Sequence, residues 1–290
     1  SIFNEESNSP HLRRLVLIMG VSAGFASVFG TPLAGAIFGI ESMRSDKSRY
    51  YYFLPSLSAA WIGNLVCDFW QVEHTHYSVT YTHNWSWIWL LAAIVIGLLS
   101  GLASRMFVWM HHLWSQFLFN RISIPSVRGL LGGTILLLIF YYSGLDRYAG
   151  LGIPIIESTF EELAPVYDWI FKLVFTTFTL SAGFKGGEVT PLFFIGATLG
   201  NSLGWLLPIP LDVLAAMGFV AVFAGATNAP IASIIMGFEL FGGFGGGLTI
   251  IPSAFAYFIS DNNGIYHAQK LKGNKFRNTW GAIRVLFRKE

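Results

Sequence analysis

The residues with the clearest capacity for chemistry lie in one glycine-rich turn that runs into an apolar helix, S-A-G-F-K-G-G-E-V-T-P-L-F-F-I-G over residues 181–196. Gly183, Gly186 and Gly187 let backbone amides approach a ligand closely, and Pro191 suits the first turn of the helix that follows. The first amides of such a helix have no partners within it and carry the positive end of its dipole. They attract an anion without placing a full positive charge in hydrocarbon. Thr190 adds a hydroxyl donor. Glu188 sits in the same turn, and an ionised carboxylate there would repel the anion that the amides attract. Protonation removes the conflict, so a site holding either an anion or an ionised glutamate can couple anion movement to proton movement. A glutamate beside a helix start is also an ordinary cap. The surroundings weigh against that reading: from 186 to 260 the only charged residues are Glu188, Asp212 and Glu239, and an acid in an apolar membrane region is costly and functional by default.

The elements that must position this turn belong to a chain of 290 residues that is 53% hydrophobic and 12% charged, the composition of a polytopic membrane protein. Apolar stretches long enough for full or partial spans begin near Leu12, Tyr50, Trp85, Arg128, Trp169, Pro191, Leu211, Ala229 and Leu248. Several are short and broken by Gly or Pro. Aromatic clusters at 50–52 and 85–89 resemble the belts found at membrane surfaces. Cys67 is alone, which excludes an intrachain disulfide. The net charge of +2 gives no indication of nucleic acid, and none is expected as a partner; membrane lipid is.

Residues 19–41 read M-G-V-S-A-G-F-A-S-V-F-G-T-P-L-A-G-A-I-F-G-I-E, and their small residues let helices pack closely in lipid. The pattern returns at 217–239 as M-G-F-V-A-V-F-A-G-A-T-N-A-P-I-A-S-I-I-M-G-F-E. The offset, 217 − 19 = 198, pairs Gly20 with Gly218, Pro32 with Pro230 and Glu41 with Glu239 without a gap. Two matching broken membrane segments mark a transporter built from two structural repeats. On the same offset the counterpart of Glu188 falls at 188 − 198 = −10, ahead of Ser1, so the first repeat is expected to be cut and the chain to be the C-terminal part of a larger protein. The expected organisation is a remainder of the first repeat at 1–84, a second repeat with the anion loop at 85–269, and a basic cytoplasmic tail at 270–290 lying against anionic lipid heads.

Arg44, Lys47 and Arg49 place the loop around 42–49 on the cytoplasmic side, and 71–84, with His74, His76 and His83, reads as a solvated loop opposite. Residues 85–119 read as one long helix, whose His111 and His112 point to different faces and so argue against shared ligation. Glu157, Glu161 and Glu162 read as a solvated face. No metal site and no cofactor are implied.

These residues together resemble the CLC chloride channels and transporters, and within them the fluoride/proton antiporter branch. The helix at 22–41 looks like the family's A-P-L-A-G-x-x-F-x-x-E segment, 228–239 looks like its second-repeat partner, and 264–269 resembles the tyrosine-bearing stretch before the final helix. Chloride-type members usually read G-G-x-F-x-P at the central loop, whereas 186–191 reads G-G-E-V-T-P, as in the fluoride branch. The resemblance implies an all-α, inverted-repeat membrane bundle with broken helices, a homodimer with one anion path per subunit, in a bacterial inner membrane. It implies that fluoride or chloride and protons are its partners, with Glu188 as the proton-coupling acid, Val189 and Thr190 lining the anion site and the Tyr266 hydroxyl offered there. The family's external gating glutamate and first glycine-rich loop would lie ahead of Ser1, and Ser42 stands where many chloride exchangers carry an internal proton-relay acid.

The function expected of the complete protein is therefore fluoride export against protons, with a chloride channel or exchanger, or a fragment unable to transport, as the alternatives. An enzyme is not expected, because the chain contains neither H-E-x-x-H nor G-x-S-x-G.

Overall fold

The computed structural model describes residues 10–43, 49–75, 77–79, 87–266 and 275. Among these residues the secondary structure is helical: α1 Pro10–Phe29, α2 Pro32–Ser42, α3 Arg49–Phe69, α4 Trp87–Arg121, α5 Pro125–Ser143, α6 Ile153–Ser158, α7 Asp168–Ser181, α8 Val189–Ser202, α9 Leu211–Thr227, α10 Pro230–Leu248 and α11 Ile250–Ile259. The apolar stretches read from the sequence each lie in a helix of their own. Four of the helices, within α1, α4, α5 and α10, are long and apolar enough to cross a membrane. The others are shorter or interrupted, and α10 itself is broken at Gly242, whose φ is 74°.

The segment 22–41, likened to a family helix and read as part of a broken membrane segment, lies in two helices. Gly30 adopts the left-handed conformation at φ 66°, Thr31 leaves the helical region, and α2 restarts at Pro32. A proline removes one amide and disfavours helix at the residue before it, so the break falls where it must. The second copy breaks at the equivalent place: Asn228 is left-handed at φ 53° and α10 starts at Pro230, with 228 − 30 = 198. The internal repeat is thus structural as well as sequential.

The breaks expose helix N-termini, and the two repeats cap each other. Glu239 on α10 accepts the amides of Leu33 and Ala34 at the start of α2, both at 2.8 Å. Glu41 on α2 accepts the amides of Ile231 and Ala232 at the start of α10, at 3.4 and 2.8 Å. Each carboxylate satisfies orphan donors and meets the positive end of a helix dipole.

Helix α9 is buried along almost its whole length and forms the axis of the core. Helix α8 packs on it backbone to backbone: a Cβ at Gly218 would collide with the Gly196 carbonyl, and one at Gly196 with the Gly218 carbonyl. Only glycine permits that approach. Phe193 of α8 stacks on Phe219 of α9 with ring centroids 4.0 Å apart, and Phe25, Phe38 and Phe223 bring α1, α2 and α9 together.

Several sequence expectations fall on 44–48, 76, 80–86 and most of 267–290, which lie outside the described residues; these include Arg44, Lys47, His76 and His83. His74 is half-buried rather than solvated: its ring lies over Gly30 and its Nε2 is 2.9 Å from the Ser27 carbonyl. Lys275, one of the tail's basic residues, is buried instead of lying against lipid heads. Its ammonium donates to the Tyr257 and Ser260 carbonyls and to the Ser260 hydroxyl at 2.7, 2.9 and 2.8 Å. Glu157, Glu161 and Glu162 are exposed, as read.

Candidate functional site

The glycine-rich turn leads from the end of α7 to the start of α8, where Gly183 takes a φ of 102° and Glu188 is the N-cap residue. Glu188 accepts the Leu192 amide through its backbone carbonyl, but its side chain makes no capping hydrogen bond. Pro191 has no amide, so the amides of Val189 and Thr190 are the first-turn donors left over. Packing of α8 against α9 through Gly196, Gly200 and Gly218 aims this N-terminus.

Tyr266 reaches the same region from the other end of the chain. The Ile265 amide donates to the Ala226 carbonyl at 2.9 Å, in the last turn of α9, and Asn228 donates through its side chain to the Asn262 carbonyl at 3.4 Å. The break between α9 and α10 therefore holds the tyrosine segment. Phe38 of α2 meets the Tyr266 ring edge to face at 6.0 Å. The Glu188 carboxylate is within electrostatic reach of the Tyr266 hydroxyl. Of the residues chosen from sequence, Glu188, Val189 and Thr190 open α8, and Gly264 and Ile265, just ahead of Tyr266, line one cavity with Glu188.

The other two acids of the apolar region are differently placed. Asp212, in the first turn of α9, accepts the Val213 amide at 2.8 Å, and Glu239 caps α2. Both serve backbone amides. Glu188 instead lines a small cavity of about 10 Å³ with Phe107, Val108, His111, His112, Leu180, Gly264 and Ile265.

Sequence reasoning passed over a further polar group behind the turn. Lys172 of α7 is buried, and its ammonium donates to the Tyr148 and Gly150 carbonyls at 3.0 and 2.7 Å. One turn earlier, buried Asp168 accepts the Tyr148 hydroxyl at 2.6 Å and the Arg147 guanidinium at 2.8 Å. Their signal was present in the chain as an aspartate and a lysine four residues apart in an apolar helix, a helical-face pair. Lys172 also borders a cavity of about 560 Å³ that the exposed Gly186 and Gly187 share. Among the described residues no group of three or more His, Cys, Asp or Glu could hold a metal.

Two broken-helix repeats that cap each other around a helix N-terminus, with an acid left over beside it, define a polytopic membrane protein of the two-repeat, broken-helix class. Residues 1–261 match the family model described as voltage gated chloride channel, and the chain belongs to that family. It is 43% identical over 272 residues to a protein of Pseudomonas syringae pv. tomato named chloride/fluoride channel protein, covering 91% of this chain and 60% of that one. It is 27% identical over 248 residues to the H(+)/Cl(-) exchange transporter ClcA of Cronobacter sakazakii, over 79% of this chain and 52% of that one. A crystal structure of a CLC-type fluoride/proton antiporter superposes with a TM-score of 0.85 at 33% identity, over 90% of this chain and 67% of that one. A eukaryotic CLC transporter shares the fold at a TM-score of 0.73 and 21% identity, over 92% of this chain and 48% of that one. The chain spans about 60% of the length of the Pseudomonas relative.

Proposed function

We propose that the full-length protein exchanges fluoride for protons across a bacterial inner membrane. Glu188 carries the proton, and the amides of Val189 and Thr190 with the hydroxyls of Thr190 and Tyr266 hold the anion. The observation that supports this most is a contrast among three acids. Asp212 and Glu239 accept backbone amides, whereas Glu188 stands at an anion-attracting helix start without making a capping bond. Fluoride is small and strongly hydrated, so it enters only where hydrogen-bond donors replace its water. A relative named for chloride and fluoride and a neighbour titled a fluoride/proton antiporter agree with that choice of anion.

The deciding substitution is Glu188→Gln, which keeps size and some hydrogen bonding but cannot exchange a proton. In liposomes bearing the full-length protein it is expected to abolish proton movement driven by a fluoride gradient, with fluoride flux either stalled or uncoupled. A proton-to-fluoride ratio equal to that of the unsubstituted protein would falsify the assignment. The similarity to ClcA favours chloride exchange as the second reading, and the same liposomes loaded with chloride separate the two. We also infer a homodimer; the exposed apolar side chains of α3, among them Leu54, Ile62 and Phe69, suit either a second subunit or lipid. Cross-linking in native membranes reads which.

A further inference from the structure

Adjacent histidines on a helix point about 100° apart, which argues against a common partner for His111 and His112. They nevertheless line one cavity with Glu188, because the flank of α4 there is closed from two sides, by Leu180 at the end of α7 and by Gly264 and Ile265 ahead of Tyr266. The cavity, at about 10 Å³, has room for about one water molecule. The His111 ring is oriented: its Nδ1 lies 3.2 Å from the Ser181 hydroxyl oxygen, which donates to the His111 carbonyl at 3.1 Å and accepts the Ser115 hydroxyl at 3.1 Å. His111 is half-buried and His112 is exposed, with ring centroids 6.1 Å apart.

The side towards which exposed His112 lies follows from the helix. His112 is nine residues from Arg121 at the end of α4, about 14 Å at 1.5 Å per residue, and Arg121 and Arg128 flank the turn into α5. Basic residues gather at the cytoplasmic ends of membrane helices, so the histidines lie towards the cytoplasm. Among the described residues, the titratable groups facing the cavity are His111 and His112 from α4 and Glu188 from the start of α8; Tyr266 lies just past Ile265, and α7 presents Leu180. Of the neighbouring cations, Arg128 lies against Gly183 and Lys185 is exposed in the glycine-rich turn.

We propose that His112 and His111 form the cytoplasmic proton route of Glu188, an inference that rests on the coupling role given to Glu188 above. A proton leaving the Glu188 carboxyl passes, directly or over one water, to an imidazole nitrogen and is released to water at His112. Only O–H and N–H bonds form and break, and charge balances because the glutamate becomes an anion as the imidazole becomes a cation. Imidazole suits this step, since one ring nitrogen can accept a proton while the other donates one. The histidines also supply an internal relay in a chain where Ser42 follows Glu41.

The test uses the full-length protein in liposomes with its cytoplasmic face accessible, comparing wild type, His111→Gln/His112→Gln, Glu188→Gln and the triple variant. The double histidine variant is expected to slow fluoride-driven proton flux about tenfold or more, to be restored by imidazole buffer at the cytoplasmic face, and to leave both the melting temperature of the wild type and the fluoride flux of the Glu188→Gln background unchanged. Coupled flux at the wild-type rate in the double variant overturns the route. So does a loss that imidazole does not restore and that comes with a lowered melting temperature or with an equal loss in the Glu188→Gln background, because that pattern means a structural role. If Glu188→Gln itself keeps the coupled ratio, the coupling assignment fails first; if it loses coupling while the histidine variant does not, only the route fails.

Discussion

Replacing Glu239 by Gln tests the mutual capping of the two repeats. The carboxylate accepts two amides at 2.8 Å, and hydrogen bonds to a charged group are worth about 1.5–3 kcal/mol each. Gln retains one oxygen, so one bond survives as a neutral one of about 1 kcal/mol, while its NH2 faces the second amide donor to donor. Glu239 is half-buried and Leu33 is exposed, so water competes and the low end of the range applies. The expected loss is about 2 kcal/mol for Glu239→Gln. Glu41→Gln should lose less, about 1 kcal/mol, because the Ile231 amide is already distant at 3.4 Å. At roughly 2–4 °C per kcal/mol for a chain of this size, Glu239→Gln should lower the apparent Tm by about 4–8 °C and Glu41→Gln by about 2–4 °C. The assay is thermal unfolding of the detergent-solubilised full-length protein, followed by tryptophan fluorescence and by loss of the monodisperse peak. Glu188→Gln is the control, since it removes no capping bond. A Glu239→Gln protein as stable as wild type, or a Glu188→Gln protein destabilised more than Glu239→Gln, would refute the reasoning.

The remaining predictions concern the positioning of the site and its donors. Gly218→Ala drives a methyl into the Gly196 carbonyl, a backbone contact that cannot swing aside; it should cost about 1–3 kcal/mol and slow transport with it, because α8 carries the site, and an unchanged melting curve would contradict the close approach. Thr190→Val and Tyr266→Phe each remove one hydroxyl donor, a loss of about 1 kcal/mol or roughly fivefold in fluoride efflux at a fluoride-selective electrode. Unchanged rates in both would remove these residues from the site.

What the residues disclosed and what they withheld divides along sequence distance. The helix boundaries were legible because their causes are local: Pro32 and Pro230 each restart a helix, and Gly30 and Asn228 supply the left-handed turn before them. The segments 19–41 and 217–239 read as broken from their glycines and prolines, and the breaks fall at residues 30–31 and 228–229, directly ahead of Pro32 and Pro230. The Glu188 turn was legible for the same local reason as the other boundaries, since glycine, acid and proline lie within six positions. Its neighbours were not, because His111 is 77 residues upstream (188 − 111) and no periodicity on α4 announces which flank α7 and the tyrosine segment will close.

The fate of the paired acids carries this further. The offset of 198 matches Glu41 with Glu239 as equivalents, yet equivalence says nothing about contact. In the fold each acid reaches the helix start of the other copy, across separations of 206 residues for Glu239 and 191 for Glu41. Such reciprocity is what a pseudo-two-fold relation between repeats makes of sequence equivalence: whatever one copy does to the other is done back. Once Glu41 and Glu239 are tied in this way and Asp212 holds the start of α9, the acids that the apolar region tolerates for structural reasons are accounted for. Glu188 is half-buried and its side chain caps no helix, and on that contrast rests the proposal that it carries the proton.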